Sequence, residues 1–128
     1  MTDGSALGLS LWTTDIAALS RFLESVAGMT VEERHPGYAS LRVDGARVFL
    51  QDEEGYRGHP WYNALHREGV ARGIGTEIRI AVPDVDGAYM RGLQLGGIAV
   101  EEPCDVDGTR ECQLMGPDGY LLTLWNWV

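Results

Sequence analysis

The chain has 128 residues, which is enough for one domain with a real hydrophobic core. Hydrophobic residues make up 45% and charged residues 23%, a composition typical of a globular protein and not of a disordered one. The net charge is -9 and lysine is absent. This charge excludes nucleic acid as an expected partner, because phosphate binding needs clustered basic side chains.

The sequence also argues against a membrane partner. No apolar run approaches the roughly 20 residues that a membrane helix needs. Residues 1–11 lack the basic start and the long apolar stretch of a signal peptide. The two cysteines, Cys104 and Cys112, are too few for a disulfide framework, so we expect reduced thiols and a cytoplasmic protein.

The first half of the chain predicts a strand, a helix and a hairpin. Residues 7–13 are apolar and strand-like, and Thr14 or Asp15 can cap a helix that Gly28 ends. The apolar positions of this helix recur at helical spacing: Ile16, Leu19, Leu23 and Val26. A hairpin of residues 38–43 and 46–51 turns at Asp44-Gly45.

The second half repeats this order after a linker. A short helix is predicted to start at Pro60, and residues 75–82 alternate as a half-buried strand does. Asp84 caps the next helix. The remaining predicted elements are a short strand at 98–102 and a closing hairpin of residues 110–115 and 120–127. The repeat indicates two copies of one unit.

Three local motifs and their order resemble the vicinal oxygen chelate superfamily, which includes glyoxalase I, extradiol dioxygenases and bleomycin-resistance proteins. The first is Asp15-Ile16-Ala17-Ala18 after the first strand, and the second is Pro83-Asp84-Val85-Asp86 after the fifth. The third is the stretch from Gly116 to Leu122, preceded by Arg110-Glu111. No single motif is specific, because Pro-Asp-Gly turns occur in many folds.

The resemblance implies an α+β fold in which two βαβββ modules form a curved mixed sheet around a cleft, with helices on the convex face. The whole chain, 1–128, would then be a single domain. Module one would span about 7–52, the linker helix about 60–70 and module two about 75–127. The resemblance also implies a homodimer, since one chain offers two modules whose sheets need a partner to close the cleft.

Enzymes of the superfamily hold a divalent metal at four strand positions. By the resemblance these positions fall at Gly8, Phe49, Glu77 and Thr123, and of these only Glu77 is a competent ligand. Gln51, two residues from Phe49, is a possible substitute. One carboxylate and one amide do not supply a catalytic metal site, so we expect no metal and no other cofactor.

The three histidines do not complete such a site in the sequence. His35 is expected in a loop, His59 before a helix, where it can cap, and His66 within that helix.

Strand alternation predicts instead a cleft of aromatic and polar side chains. Trp61 and Tyr62 of the linker helix would form its wall or lid, and Glu77 with Arg79 would supply polar contacts, although they can equally form a same-face ion pair. Any of the four tryptophans can equally lie in the core or at an interface. The predicted ligand-binding residues are Trp12, Tyr38, Phe49, Gln51, Trp61, Tyr62, Glu77, Arg79, Thr123 and Trp125.

These features predict a non-catalytic protein that binds or sequesters a small antibiotic-like molecule, aromatic or cationic. Within the superfamily, the sequence resembles best the metal-less bleomycin-resistance branch. Members of that branch are acidic homodimers that bind a drug between chains. The alternative is a lyase, isomerase or dioxygenase that uses an unusual metal set or Glu77 as a general base with a raised pKa. A third possibility is a structural or regulatory dimer without a ligand.

Overall fold

The structure, a computed structural model, describes residues 7–128. It has the α+β class predicted from the sequence. Its helices and strands, in chain order, are β1 (Gly8–Thr13), α1 (Ile16–Ala27), β2 (Thr30–His35), β3 (Tyr38–Val43), β4 (Ala46–Asp52), α2 (Pro60–Glu68), β5 (Glu77–Ala81), α3 (Val85–Gln94), β6 (Ile98–Val106), β7 (Thr109–Met115) and β8 (Leu121–Trp127).

The strands confirm the internal repeat. One sheet has the order β1-β4-β3-β2 and the other β5-β8-β7-β6. In each sheet the first strand pairs in parallel with its neighbour, β1 with β4 and β5 with β8, and the other pairs are antiparallel. Each module is therefore a βαβββ unit.

Two strands differ from the sequence expectation. Strand β2 was not predicted, because its sequence Thr-Val-Glu-Glu-Arg-His is mostly charged and lacks apolar alternation. It is an edge strand, and its charged side chains stay exposed there. Strand β6 continues to Val106, beyond the predicted end at residue 102, with its register shifted twice against β7.

The two main helices begin where their capping residues predict. Asp15 accepts a hydrogen bond from the Ala18 N–H at 3.0 Å, and Asp84 accepts one from the Gly87 N–H at 3.2 Å. Each carboxylate thereby satisfies a backbone donor that the first helical turn leaves unpaired.

One hydrophobic core joins the two modules. Helices α1 and α3 contact each other, and each also packs on the sheet of its own module. Phe22 of α1 reaches the second module, where its ring lies against Gly97 and Gly116. Burying a side chain of this size stabilises the fold by about 1.5–3 kcal/mol.

The eight strands of residues 7–128 form two sheets and not one continuous sheet. Strands β1 and β5 lie at the ends of their sheets, so each has one edge without a strand neighbour within residues 7–128. Each sheet has one face on the helices and one open face. No helix among the described residues is long and apolar enough to cross a membrane.

Candidate functional site

The open face of the first sheet carries the side chains that alternation predicts. Trp12 pairs with Gln51, which pairs with Tyr38, so these three side chains lie in one row across the sheet. Phe49 lies two residues from Gln51 on the same face, and its ring centroid is 6.4 Å from that of Tyr38. This face therefore presents an aromatic surface.

Gly8 and Phe49, two of the expected metal-ligand positions, are packed against each other. A Cβ atom added at Gly8 would lie 3.1 Å from Cε2 of the Phe49 ring. The phenyl ring thus occupies the space above Gly8, where a ligating side chain would stand.

The open face of the second sheet carries a polar network around Glu77. The Thr123 hydroxyl donates to Glu77 at 2.5 Å and accepts from the Gln113 amide at 3.1 Å. Arg79 contacts Glu77 at 3.2 Å and Glu111 at 3.5 Å. The ion pair between Glu77 and Arg79 is therefore part of a larger network.

This network sets the charge state of Glu77. The hydrogen bond from Thr123 lowers the pKa of the Glu77 carboxyl, and Arg79 lowers it further, while partial burial opposes both. The pKa of Glu77 is therefore lowered, whereas the general-base alternative needs a raised one. Glu77 is a carboxylate held by its neighbours.

The residues at the four expected metal positions do not fit a divalent metal. Glu77 alone offers a carboxylate, and one of its two oxygens, Oε2, already accepts from Thr123 and Arg79. Elsewhere in residues 7–128, Glu53, Glu54 and His66 place one ligand atom each within 4.8 Å of one another. Both oxygens of Glu53, however, accept from Arg72, at 2.7 and 2.5 Å.

An aromatic cluster joins the first sheet to the linker. The Trp12 ring stacks on Tyr56 at 4.3 Å, and the rings of His59 and Trp61 lie 5.1 and 5.8 Å from it. Trp12 and Trp61 are brought together as expected, whereas Tyr56 and His59 were missed. The only sequence signal for them is the density of aromatic residues between positions 56 and 62.

His59 has a structural role as well, and this confirms its expected capping position. Its Nδ1 accepts a hydrogen bond from the Trp61 N–H at 3.0 Å, which caps α2. His66 lies within α2 as expected. His35 lies at the end of strand β2, opposite Tyr38, and not in a loop.

A cavity of about 500 Å³, the linker cavity, lies beside this cluster. Its volume is within the range of small-molecule sites. It lies along β1 and under α2, and its lining is mostly apolar. The residues that line it are Leu9, Ser10, Leu11, Trp12, Trp61, Ala64, Leu65, Ala71, Arg72, Ile74, Thr76 and Tyr120.

The linker cavity continues towards the second sheet. A neighbouring cavity of about 350 Å³ shares Ala71, Ile74 and Thr76 with it and reaches Glu77. Aromatic surface at one end of this groove is thereby connected to a carboxylate at the other.

The other predicted binding residues lie outside the linker cavity. Tyr38, Phe49 and Gln51 are on the open face of the first sheet, and Arg79 and Thr123 are on that of the second. Trp125 lies on the second sheet with its ring 5.3 Å from that of Trp127.

Tyr62 of α2 takes a different position from its neighbour Trp61. Its hydroxyl donates to Glu54 at 2.9 Å, and its ring stacks on His66 at 4.1 Å. It is not among the residues that line the linker cavity.

A buried ion pair fixes the two ends of the linker. Glu53, directly after β4, is 2% exposed, and it binds Arg72 through both oxygens and His66 at 3.0 Å. The hydrogen bond from Arg72 is the main reason that the pKa of Glu53 is lowered. The linker also contacts the second module, where the Gly73 N–H donates to the Asp118 carbonyl at 3.2 Å.

Comparison with solved structures identifies the fold. A glyoxalase/bleomycin resistance protein/dioxygenase family enzyme from Burkholderia phytofirmans superposes with a TM-score of 0.74 at 20% identity, over 94% of this chain and 96% of that one. The chain has the vicinal oxygen chelate fold. A glyoxalase/bleomycin resistance protein/dioxygenase from Nocardioides shares this fold with a TM-score of 0.68 at 23% identity, over 100% of this chain and 86% of that one.

TioX from Micromonospora also has this fold, with a TM-score of 0.66 and 23% identity over 97% of both chains. No family model and no protein of curated function matches the sequence. At these identities the similarity shows the vicinal oxygen chelate fold alone, because one fold can host many functions.

Proposed function

We propose that this protein binds a small organic molecule with a planar aromatic surface, neutral or cationic, and does not transform it. The observation that carries the proposal is the linker cavity, which is apolar, bordered by Trp12 and Trp61, and of ligand size. Flat indole rings stack on planar ligands and attract cations to their faces.

Trp61 is the ring best placed to receive such a ligand. Trp61 is 67% exposed although it borders the cavity. The Trp12 ring, in contrast, is already stacked on Tyr56. A ligand in the cavity would cover the exposed indole of Trp61 and remove apolar surface from water. Trp12 would form the inner wall.

The charges along the groove favour a neutral or cationic ligand over an anion. Arg72 borders the cavity, but Glu53 neutralises it. The groove then leads to the Glu77 carboxylate. The net charge of -9 adds long-range attraction for cations.

The residues present support binding without chemistry. Three of the four metal positions of this fold hold Gly8, Phe49 and Thr123, none of which replaces a histidine or carboxylate ligand. The lowered pKa of Glu77 leaves a weak base, which does not favour proton abstraction at neutral pH. Sequestration is the function that this arrangement supports best.

We further propose that the protein acts as a homodimer. Strands β1 and β5 each have an edge without a strand neighbour within residues 7–128. Unpaired edges of this kind are usually covered by another element, and a second copy related by a twofold axis would cover both in one interface.

Fluorescence titration with three-ring probes tests the binding proposal. Proflavine is a planar cation, acridine is close to neutral, and anthracene-9-carboxylate is a planar anion. We expect the first two to quench tryptophan emission on binding and the anion to bind weakly or not at all. Because truncation of a tryptophan hot spot costs on the order of 2 kcal/mol, Trp61→Ala should weaken proflavine binding by roughly thirtyfold.

Trp127→Ala is the matched control, because Trp127 is 74% exposed and lies on the other sheet. It should leave proflavine affinity unchanged, and neither variant should lower the melting temperature much, since both rings are largely in solvent. Equal binding of proflavine by the parent and by Trp61→Ala would refute the assignment of the linker cavity.

A further inference from the structure

Helix α2 forms one wall of the linker cavity without being packed into the protein. None of its residues is buried. Trp61, Ala64 and Leu65 border the cavity from this helix, and Trp61 remains largely exposed. A helix without core packing has little burial energy to hold it in one position, so its displacement costs less than that of α1 or α3.

A glycine with positive φ flanks this helix on each side. Gly58 has φ of +89° and Gly69 has φ of +68°, and a Cβ atom at either position would meet no heavy atom within 4 Å. Residues of this kind change φ and ψ at low steric cost and have open space around them. Segment ends with these properties act as hinges in lid motions.

The residues on both outer sides of the two glycines are held to the body of the protein. On one side, Tyr56 stacks on Trp12 and Glu53 pairs with Arg72. On the other side, Gly73 is hydrogen-bonded to Asp118. These contacts fix both ends of the linker. The segment between Gly58 and Gly69 is held by ring contacts of His59 and Trp61 with Trp12. Two hydrogen bonds to the residues just before Gly58 add to these, one from Tyr62 to Glu54 and one between His66 and Glu53, and opening of α2 would have to break them.

We propose that α2 is a lid that turns about Gly58 and Gly69, opens the linker cavity to a planar ligand and then closes Trp61 onto it. This inference rests on the proposed function, since the lid regulates access to the same cavity. The ligand adds the contacts that the closed helix lacks, so binding shifts the population to the closed position.

Distance measurement between spin labels tests the lid. One label is placed on α2 at Arg67→Cys and one on α1 at Arg21→Cys, both at exposed positions, with the native Cys104 replaced by serine. We expect a broad or two-component distance distribution in the free protein and a single narrow one with saturating proflavine. A control pair on the body, Arg21→Cys with Glu102→Cys, should give the same narrow distribution in both states.

A hinge variant tests the mechanism without any ligand. Gly69→Asn keeps the left-handed conformation that asparagine tolerates but restricts other conformations, so it should remove at least half of the open population. Gly28→Asn is its matched control, because Gly28 ends α1 at φ 69° and ψ 23°, close to the 68° and 24° of Gly69. The control should leave the distribution unchanged.

The outcomes separate the lid from the binding function. A single narrow distance between α1 and α2 in the free protein, unchanged by proflavine that binds, would show a fixed wall and overturn the lid. An equal effect of Gly69→Asn and Gly28→Asn would overturn the hinge assignment. Absence of proflavine binding would count against the proposed function, and the distance distributions of the free parent and Gly69→Asn would still decide the lid.

Discussion

Replacement of Glu53 by glutamine is expected to destabilise the protein strongly, although the two side chains have nearly the same size. Glu53 is almost fully buried, and its carboxylate accepts from Arg72 twice and contacts His66. Glutamine keeps one acceptor oxygen but puts an amide donor where the second oxygen accepted. The Arg72 guanidinium then loses its counter-charge in a site where its side chain is only 16% exposed.

The magnitude follows from the burial of the pair. Breaking a buried ion pair by removing one partner costs about 3–5 kcal/mol. Some solvent reaches Arg72, and the Val70 carbonyl also accepts from it at 3.3 Å, so the lower part of that range applies. We expect a loss of about 3 kcal/mol in the free energy of unfolding, equivalent to a fall of roughly 10 °C in melting temperature for a domain of this size.

Urea denaturation of four proteins measures this loss: the parent, Glu53→Gln, Arg72→Met and the double variant. Because the double variant removes both charges, it should be more stable than the sum of the two single effects predicts. Glu54→Gln is the matched control. Glu54 pairs with Arg57 at the surface, so its replacement should change stability by less than about 1 kcal/mol.

Two results would show that the buried pair does not stabilise the fold. One is a Glu53→Gln variant whose stability equals that of the Glu54→Gln variant. The other is strict additivity of the two single effects, which would mean that Glu53 and Arg72 do not stabilise the fold as a pair.

The stability of the protein at low pH, its metal content and its oligomeric state can each be measured directly. The pKa of Glu53 is lowered in the folded state, so the ionised carboxylate stabilises the fold fully above the carboxyl pKa of the unfolded chain. This stabilisation is lost as the pH falls below that unfolded-chain pKa. Urea midpoints measured between pH 7 and pH 3 should therefore fall more for the parent than for Glu53→Gln. A parallel fall in both proteins would contradict this. Elemental analysis of protein purified without chelator should find no stoichiometric transition metal. One equivalent of metal that disappears in Glu77→Ala would show instead that the open sheet faces hold a metal site. Light scattering at micromolar concentration should give twice the mass of one chain, and a stable monomer would exclude the dimer.

Local structure and the internal repeat could be predicted from the residues alone. The caps at Asp15 and Asp84 and the start of α2 at Pro60 depend on neighbouring residues only, and all three are confirmed. Strand alternation predicts the face of the sheet on which each side chain lies. It correctly placed Trp12 on the same face as Gln51, and Glu77 on the same face as Arg79. Strand β2 escaped prediction because an exposed edge strand needs no apolar pattern.

How these elements come together into a site could not be predicted before the fold was known. Two contacts join residues that are far apart in sequence: Trp12 stacks on Tyr56, and Glu53 pairs with Arg72. The residues around each of them do not indicate which partner it contacts. The pKa of Glu77 likewise depends on Thr123, which a different strand supplies. Long-range packing set these distances and charges. The shared core of α1 and α3 joins the two modules, and the pair of Glu53 with Arg72 fixes the linker.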